Sequence, residues 1–395
     1  MDNNKTIRHI VGAERQDVMY RLASYAFRST PPMPDAATIH DSIARREHAV
    51  CLGIEIDGDI LATAASTPLT QNVRGRLLGM GGVFWVVTQP QARKKGFCKA
   101  LMRELLACIR ADNRPVSCLY PFRESFYERM GYVTFPQMKQ AVFAPSALLP
   151  VMDFPHRGAV EFTLLADCLD EYRAYLAKIQ LRTHGMAFFD VPDEHPDVFK
   201  SVWAALARVD GEICGTMLYQ LRGEHPTEFT MKVSRFYAHT GPGRYLLLDW
   251  IARHTDQARS VEMTLPAFEL PETWLSDLNP RVETFYTAPM GRVIDIERLE
   301  GIDVGPGALS IELTDPLCPW QEGCWRLVAD EGILRVSRGT AADCRMDVRA
   351  LGALVYGTHD PEDFNSRGWA ELSPDHVIAL RALFPRKAPY LHSYF

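Results

Sequence analysis

The chain has 395 residues, 47% of them hydrophobic and 23% charged, with a formal net charge of −6. That length predicts two or three domains and the composition an ordinary globular protein; the acidic balance argues against a general nucleic-acid binder and suits a cationic substrate. Met1-Asp2-Asn3-Asn4-Lys5 has no apolar h-region and no run approaches about 18 apolar residues, so neither a secretory leader nor a membrane span is expected. Nine scattered cysteines without a C-x-x-C pair and twelve histidines without H-E-x-x-H predict reduced cytoplasmic thiols and no metal.

In chain order, a first helix is expected over about 14–27, followed by the loop 28–36. Two strands then flank an Asp57-Gly58 turn (Ala49 to Thr63). Val83-Phe84-Trp85-Val86-Val87 is apolar, β-branched and aromatic, as a buried strand should be, and Gln89-Pro90 ends it. A basic turn, Arg93-Lys94-Lys95-Gly96, opens a helix whose stripe is Phe97, Leu101, Leu105 and Cys108-Ile109. Such a turn alone is ordinary solvated surface. A helix N-terminus nevertheless attracts phosphate, glycine lets a ligand approach the backbone, and Lys99 adds a further cation for a diphosphate. The pattern is neither a Walker A loop nor a Rossmann G-x-G-x-x-G. Val116–Tyr120 is the next strand, and Phe126-Tyr127-Glu128-Arg129-Met130-Gly131-Tyr132 follows, Gly131 suiting a helix C-terminus. Tyr127 reads either as a core aromatic with a satisfied hydroxyl or as a proton donor beside a cofactor.

Val209-Asp210-Gly211-Glu212-Ile213 nearly superposes on Ile56-Asp57-Gly58-Asp59-Ile60 at a shift of 153 residues, which also places Tyr237 on Phe84. A strand (Val233–Ala238), a helix (Tyr245 to His254) and a strand (Ser260 to Leu265) complete a second copy of the same unit. The second copy lacks the basic cluster: Thr240-Gly241-Pro242-Gly243-Arg244 stands in its place, a plain loop or a bare anion site, and no F-Y-x-x-x-G-Y follows. The last third reads as strands Arg292–Leu299 (after a break at Met290-Gly291), Ala308–Leu313, Cys324–Val328 and Ile333–Val336, then helices Val348–Tyr356 and Pro374–Leu383. It resembles a sterol-carrier-protein-type α+β domain.

Arg93-x-x-Gly96-x-Cys98 resembles the R-x-x-G-x-[GA] loop of the GCN5-related N-acetyltransferases (GNAT), with cysteine for the final small residue. Phe126 to Tyr132 resembles that family's F-Y-x-x-x-G-Y/F segment. Active unit, degenerate copy and carrier-like tail together resemble the Eis (enhanced intracellular survival) acetyltransferases along the full length. The resemblance implies a mixed α/β and α+β chain of tandem GNAT folds: a catalytic domain over 1–148, a degenerate one over 149–289 and a sterol-carrier-like domain over 290–395. It implies acetyl-CoA as co-substrate, no metal, and cofactor contacts at Val86, Val87, Thr88, Arg93, Lys94, Lys95, Gly96, Phe97, Cys98, Lys99, Phe122 and Arg123. Tyr127 becomes the general acid and the main-chain carboxylate of Phe395 the general base. The thioester would lie along Val83–Val87, which requires a bulge to splay the flanking strands. The first helix and its loop would wall the acceptor pocket, with Phe27, Met33 and Asp35 as lining residues. The acceptor is an aminoglycoside-like polyamine, a lysine side chain or another small amine, although the penultimate Tyr394 is no acid and argues against strong aminoglycoside activity. A cytoplasmic homo-oligomer, a hexamer, is expected. Two alternatives stand beside this reading: a lipid or apolar-ligand carrier with a vestigial acetyltransferase, and a regulatory CoA sensor.

Overall fold

The computed structural model describes residues 5–28, 30–191, 196–284 and 287–395; the expectation about the first four residues and the Ser29 position of the first loop lie outside them. The chain forms two compact units, one of Met1–Phe135, Thr183–Asp193 and Ala288–Phe395, the other of Pro136–Arg182 and Glu194–Thr287. The fold is mixed α/β with three sheets of eight, seven and five strands.

In the first unit the eight-stranded sheet runs Lys5–His9, Val50–Ile56, Asp59–Val73, Arg76–Thr88, Val116–Leu119, Met290–Val293, Val133–Thr134, and Ala187–Phe189 adds to Asp59–Val73. Asp57 and Gly58 sit at φ 53° and 90°, the positive pair that a two-residue hairpin demands. Helix Phe97–Ala111 links the parallel strands Arg76–Thr88 and Val116–Leu119. Phe97, Leu101, Leu105 and Ile109 of its expected stripe are buried, with Met102 and Leu106 widening it, against Leu52, Ile54, Ala62 and Val83, while Cys108 is half-buried. Helix Gly12–Arg28 contributes Val18, Met19 and Leu22 to a second cluster with Ile60, Phe84 and Val87.

The strand expected over Arg292–Leu299 is shorter and starts earlier, at Met290–Val293, and Glu297–Leu299 is a 3₁₀ turn. Met290-Gly291 is not a break. Gly291 belongs in the strand because a Cβ there would lie 2.5 Å from Phe135 and 2.7 Å from Tyr356. This strand enters the first sheet between Val116–Leu119 and Val133–Thr134. The five-stranded sheet follows the expected segments, lengthened to Ala308–Thr314, Gly323–Asp330 and Ile333–Arg338, with Cys344–Asp347 and Ala370–Glu371 added. Asp347 caps helix Val348–Tyr356 through the N–H groups of Arg349 and Ala350, and a Ser373–His376 capping box starts Pro374–Leu383. Leu351, Leu354, Tyr356 and Trp325 share one core with Leu69, Val73, Met80 and Val116 of the first sheet. That continuity carries the chain's end towards the first copy.

The second unit repeats the plan. Asp210 and Gly211 take φ 52° and 83°, and helix Gly241–Ala252 joins the parallel strands Phe229–Ala238 and Ala258–Leu265.

Candidate active site

The central strand carries a bulge where the chemistry was expected. Thr63 opposes Val87 and Ala65 opposes Phe84, so three steps on the central strand match two on its neighbour. Trp85 absorbs the extra residue at φ 47°. On the other edge the parallel ladder runs from Met80↔Val116 to Val83↔Leu119 and stops. Past Val83, that edge has no ladder partner among the described residues. Backbone groups there are available to polarise a carbonyl laid along the strand. Val87 itself is buried in the cluster with helix Gly12–Arg28, so its contribution to a ligand is main-chain; Val86 and Thr88 are half-buried.

The strand runs through a 3₁₀ turn, Pro90–Ala92, into the basic loop. Arg93 donates from Nε to Thr88 O at 3.3 Å. Lys94 and Gly96 adopt φ 61° and 77°, and Gly96 starts helix Phe97–Ala111 with no side chain capping it. A Cβ on Gly96 would meet nothing within 4 Å, so the space before the helix is open. Uncapped N–H groups, exposed Arg93, Lys94, Lys95 and Lys99, and open space give an arrangement that can accept an anion. Phe97 is buried beneath a Lys5 ammonium 4.9 Å from its ring centre, and Cys98 is half-buried.

Tyr127 lies in the short helix Glu124–Glu128, 4% exposed, ringed edge-on by Phe126 at 5.1 Å, Phe122 at 5.8 Å and Tyr132 at 6.1 Å. Its hydroxyl has no hydrogen-bond partner among the described residues, unlike Tyr132, which bonds Ser117 Oγ at 2.8 Å. Burial, with smaller contributions from Cys98 and Tyr132, pushes the Tyr127 phenol well above its usual range, so it holds its proton. The same environment pushes the neighbouring Cys98 thiol up to about 12 by burial. Phe122 and Arg123 are exposed.

Gly131 turns the chain after Tyr127 at φ 85°. A Cβ there would lie 2.3 Å from the Arg292 guanidinium and 2.5 Å from Val348. Arg292 is fully buried, pairs with both oxygens of the buried Asp315 at 2.7 and 2.5 Å, and donates to Met130 O. This ion pair braces the turn that carries Tyr127, and no local sequence pattern announces it.

The aromatic tail is packed. Tyr390, Leu391 and Ser393 are buried, and Phe395 is half-buried against both the Phe84–Val87 cluster and the shared core. The Phe395 ring sits over Gly82, where a Cβ would be 3.0 Å away, and 5.7 Å from the Tyr120 ring. Tyr394 is 69% exposed. Helix Gly12–Arg28 packs on this same cluster. Phe27 and Met33 are exposed and Asp35 caps helix Ala36–Arg45 through Thr38, so the capping explains Asp35 by itself. No ring or hydrogen-bond contact joins these three to Tyr127 or Phe395 among the described residues.

The second copy keeps the bulge: Leu218 opposes Arg235, Tyr219 opposes Val233, and the parallel ladder ends at Val233↔Met263. Its helix start is capped instead. Thr240 Oγ1 takes the Gly243 N–H at 3.2 Å, and a Cβ on Gly243 would lie 2.4 Å from Cys214 O. Arg244 is neutralised by Glu269 at 3.1 Å and lies over the Trp274 ring.

Residues 6–135 match the acetyltransferase (GNAT) domain family and residues 298–392 match the sterol carrier protein domain family. An uncharacterised N-acetyltransferase of Streptomyces avermitilis is 26% identical over 336 residues, covering 76% of this chain and 78% of that protein. Among solved structures, a probable N-acyltransferase from Enterococcus faecalis superposes with a TM-score of 0.83 at 20% identity, covering all of both chains. Eis1 from Mycobacterium abscessus superposes with a TM-score of 0.79 at 18% identity, over 99% of this chain and all of that one.

Proposed function

The chain is an N-acetyltransferase of the GNAT type with a sterol carrier protein domain, and on that premise we propose that its first copy moves acetyl from acetyl-CoA to a primary amine on a small polyamine or a lysine side chain. The diphosphate of the cofactor lies on the helix start at Gly96, among Arg93, Lys94, Lys95 and Lys99. The thioester lies along the unpaired edge beyond Val83. The neutral amine attacks the carbonyl carbon, a C–N bond forms and the C–S bond breaks. The amine proton passes to the Phe395 carboxylate, directly or through water, and the CoA thiolate takes the Tyr127 proton; exchange with solvent resets both groups. A carboxylate near pKa 3.5 is a weak base, so part of its work is orienting the ammonium form of the acceptor.

The observation that carries this reading is the bulge at Trp85 with the parallel ladder ending at Val83, directly before an uncapped, open, basic helix start. The carrier alternative finds less support, because Leu351, Leu354, Val355, Leu380 and Leu383 of the C-terminal helices are already buried in the shared core. The proposal extends to a cytoplasmic homo-hexamer; no helix among the described residues is long and apolar enough to cross a membrane. The test incubates the chain with acetyl-CoA and an amine panel and follows free CoA thiol. Amine-dependent thiol release supports the enzyme; tight acetyl-CoA binding with no turnover on any amine replaces it with the sensor.

A further inference from the structure

The segment Thr183–Asp193 interrupts the second copy in sequence yet belongs to the first unit. Its strand Ala187–Phe189 pairs with Leu69–Gln71, and the flanking bonds Gly185 N to Asn72 O (2.7 Å), Asn72 N to Met186 O (2.9 Å) and Asp190 N to Pro68 O (3.1 Å) fasten it along the first sheet. The C-terminal tail runs beside this strap in parallel. Tyr390 N donates to His184 O at 2.9 Å, and three residues further along both segments Ser393 Oγ donates to Ala187 O at 2.7 Å. The Phe188 and His392 rings, neighbours in sequence of the second bond's two residues, lie 4.7 Å apart.

Ser393 is where the tail leaves the strap. Its bond to Ala187 comes from the side-chain hydroxyl, and its carbonyl accepts from Tyr120 OH at 3.2 Å. Tyr120 follows strand Val116–Leu119, whose pairing with the bulged strand ends at Val83↔Leu119. Two hydroxyl bonds from opposite sides thus hold residue 393 between the strap and the opening. Phe395, two residues on, has little freedom left: its ring occupies the space that the missing Gly82 side chain leaves, 6.3 Å from the Phe189 ring.

We propose that Ser393 and Tyr120 are positioning residues, a two-sided clamp that places the Phe395 carboxylate to receive the acceptor's proton, with the strap Thr183–Asp193 as its fixed side. This rests on the carboxylate reading above. Ser393 touches no reacting atom and acts only through residue 395. A carboxylate displaced by about 1 Å loses up to 100-fold in rate, so loss of one bond of the pair is expected to lower kcat about tenfold.

The experiment is a cycle in the full-length chain: Ser393→Ala against conversion of the Phe395 carboxylate to a carboxamide by protein ligation, with thiol release at saturating amine as readout. Ser393→Ala is expected to lower kcat about tenfold and to leave the acetyl-CoA KM within about twofold. In the carboxamide chain the same substitution should change nothing further. Ser393→Thr, which keeps the hydroxyl, should restore the rate, and Tyr120→Phe should behave as Ser393→Ala does. Thermal melting checks that each variant is folded. If the carboxamide kills turnover but Ser393→Ala costs nothing, or costs the same with and without the carboxylate, the clamp is overturned and the base assignment survives. If the carboxamide chain keeps full activity, the base assignment itself falls.

Discussion

Burial moves the proton equilibria of Tyr127 and His184 in directions that both keep the groups neutral. Tyr127 is pushed up by desolvation, so it stays a phenol at any working pH. Replacing it with Phe leaves ring packing intact and removes the proton; turnover is expected to fall about 100- to 10,000-fold while acetyl-CoA affinity, read by calorimetry, moves less than about twofold. Full turnover in that variant would remove Tyr127 from the mechanism. His184 is pushed down to about 3, by burial first and then by the nearby Arg74 and Lys387 charges. Its Nδ1 accepts the Arg74 N–H at 3.0 Å, which leaves Nε2–H to donate to Tyr356 O at 3.1 Å, a neutral tautomer with both nitrogens used. The unfolded chain binds a proton near 6.5 that the native chain refuses. Stability is therefore full above pH 6.5 and is lost as pH falls from there towards 3, by up to about 1.4 kcal/mol per unit. His359, pushed down to about 4 mainly by burial, adds to the same slope. Urea midpoints at pH 7.5 and 5.5 should differ less in His184→Asn than in the parent; an unchanged difference would exclude His184 as a source.

Glycines with similar backbone angles do different work according to the element they end. Gly96 and Gly131 sit at φ 77° and 85°, one opening a helix onto empty space and the other closing a turn onto Arg292 and Val348. Gly96→Ala meets only the left-handed backbone penalty, about 1–2 kcal/mol, and should raise the acetyl-CoA KM because the methyl group enters the diphosphate space. Gly131→Ala drives a methyl group against a buried guanidinium whose own bonds to Asp315 and Met130 leave it no freedom, so a loss above about 3 kcal/mol or failure to fold is expected. Chemical denaturation of the two variants checks the contrast; equal losses would refute it. The same contrast marks what is legible in sequence. The strand at Val83–Val87, the helix after Gly96 and the turn at Gly131 are encoded by local pattern, and each was found. The partners of those elements are not local. Met290-Gly291 reads as a break because only the Phe135 and Tyr356 rings, far off in sequence, explain a glycine in that strand. The strap at Ala187–Phe189 is three residues long, too short for any periodicity to show. Tyr120 and Ser393 carry no motif, and only the fold brings their bond about.

At the scale of the molecule, the first copy does not own its sheet. Strand Met290–Val293 lies between Val116–Leu119 and Val133–Thr134, and Leu69, Val73, Leu78 and Met80 are buried together with Trp325, Leu351, Leu354 and Leu380. Removing the last hundred or so residues would leave Val133–Thr134 without its ladder, open one edge of Val116–Leu119 and expose one face of the sheet to water. Each of those large apolar side chains then forfeits about 1.5–3 kcal/mol of burial, and a handful exceeds the 5–15 kcal/mol by which a domain is stable at all. A chain ending at Thr287 is therefore expected to lose the cooperative unfolding of its first unit and to bind a hydrophobic dye, even though every residue of the Arg93–Gly96 loop and Tyr127 is still present. The second unit keeps its seven strands and its own core, Met217, Val233, Leu247 and Val261 among them, and should still melt as a unit. Circular dichroism melting with dye binding separates the outcomes. A truncated chain that melts in two cooperative steps, without dye, would mean that the shared core is a contact between finished domains; a single surviving step assigned to residues 136–287 would mean that the C-terminal third is part of the catalytic fold.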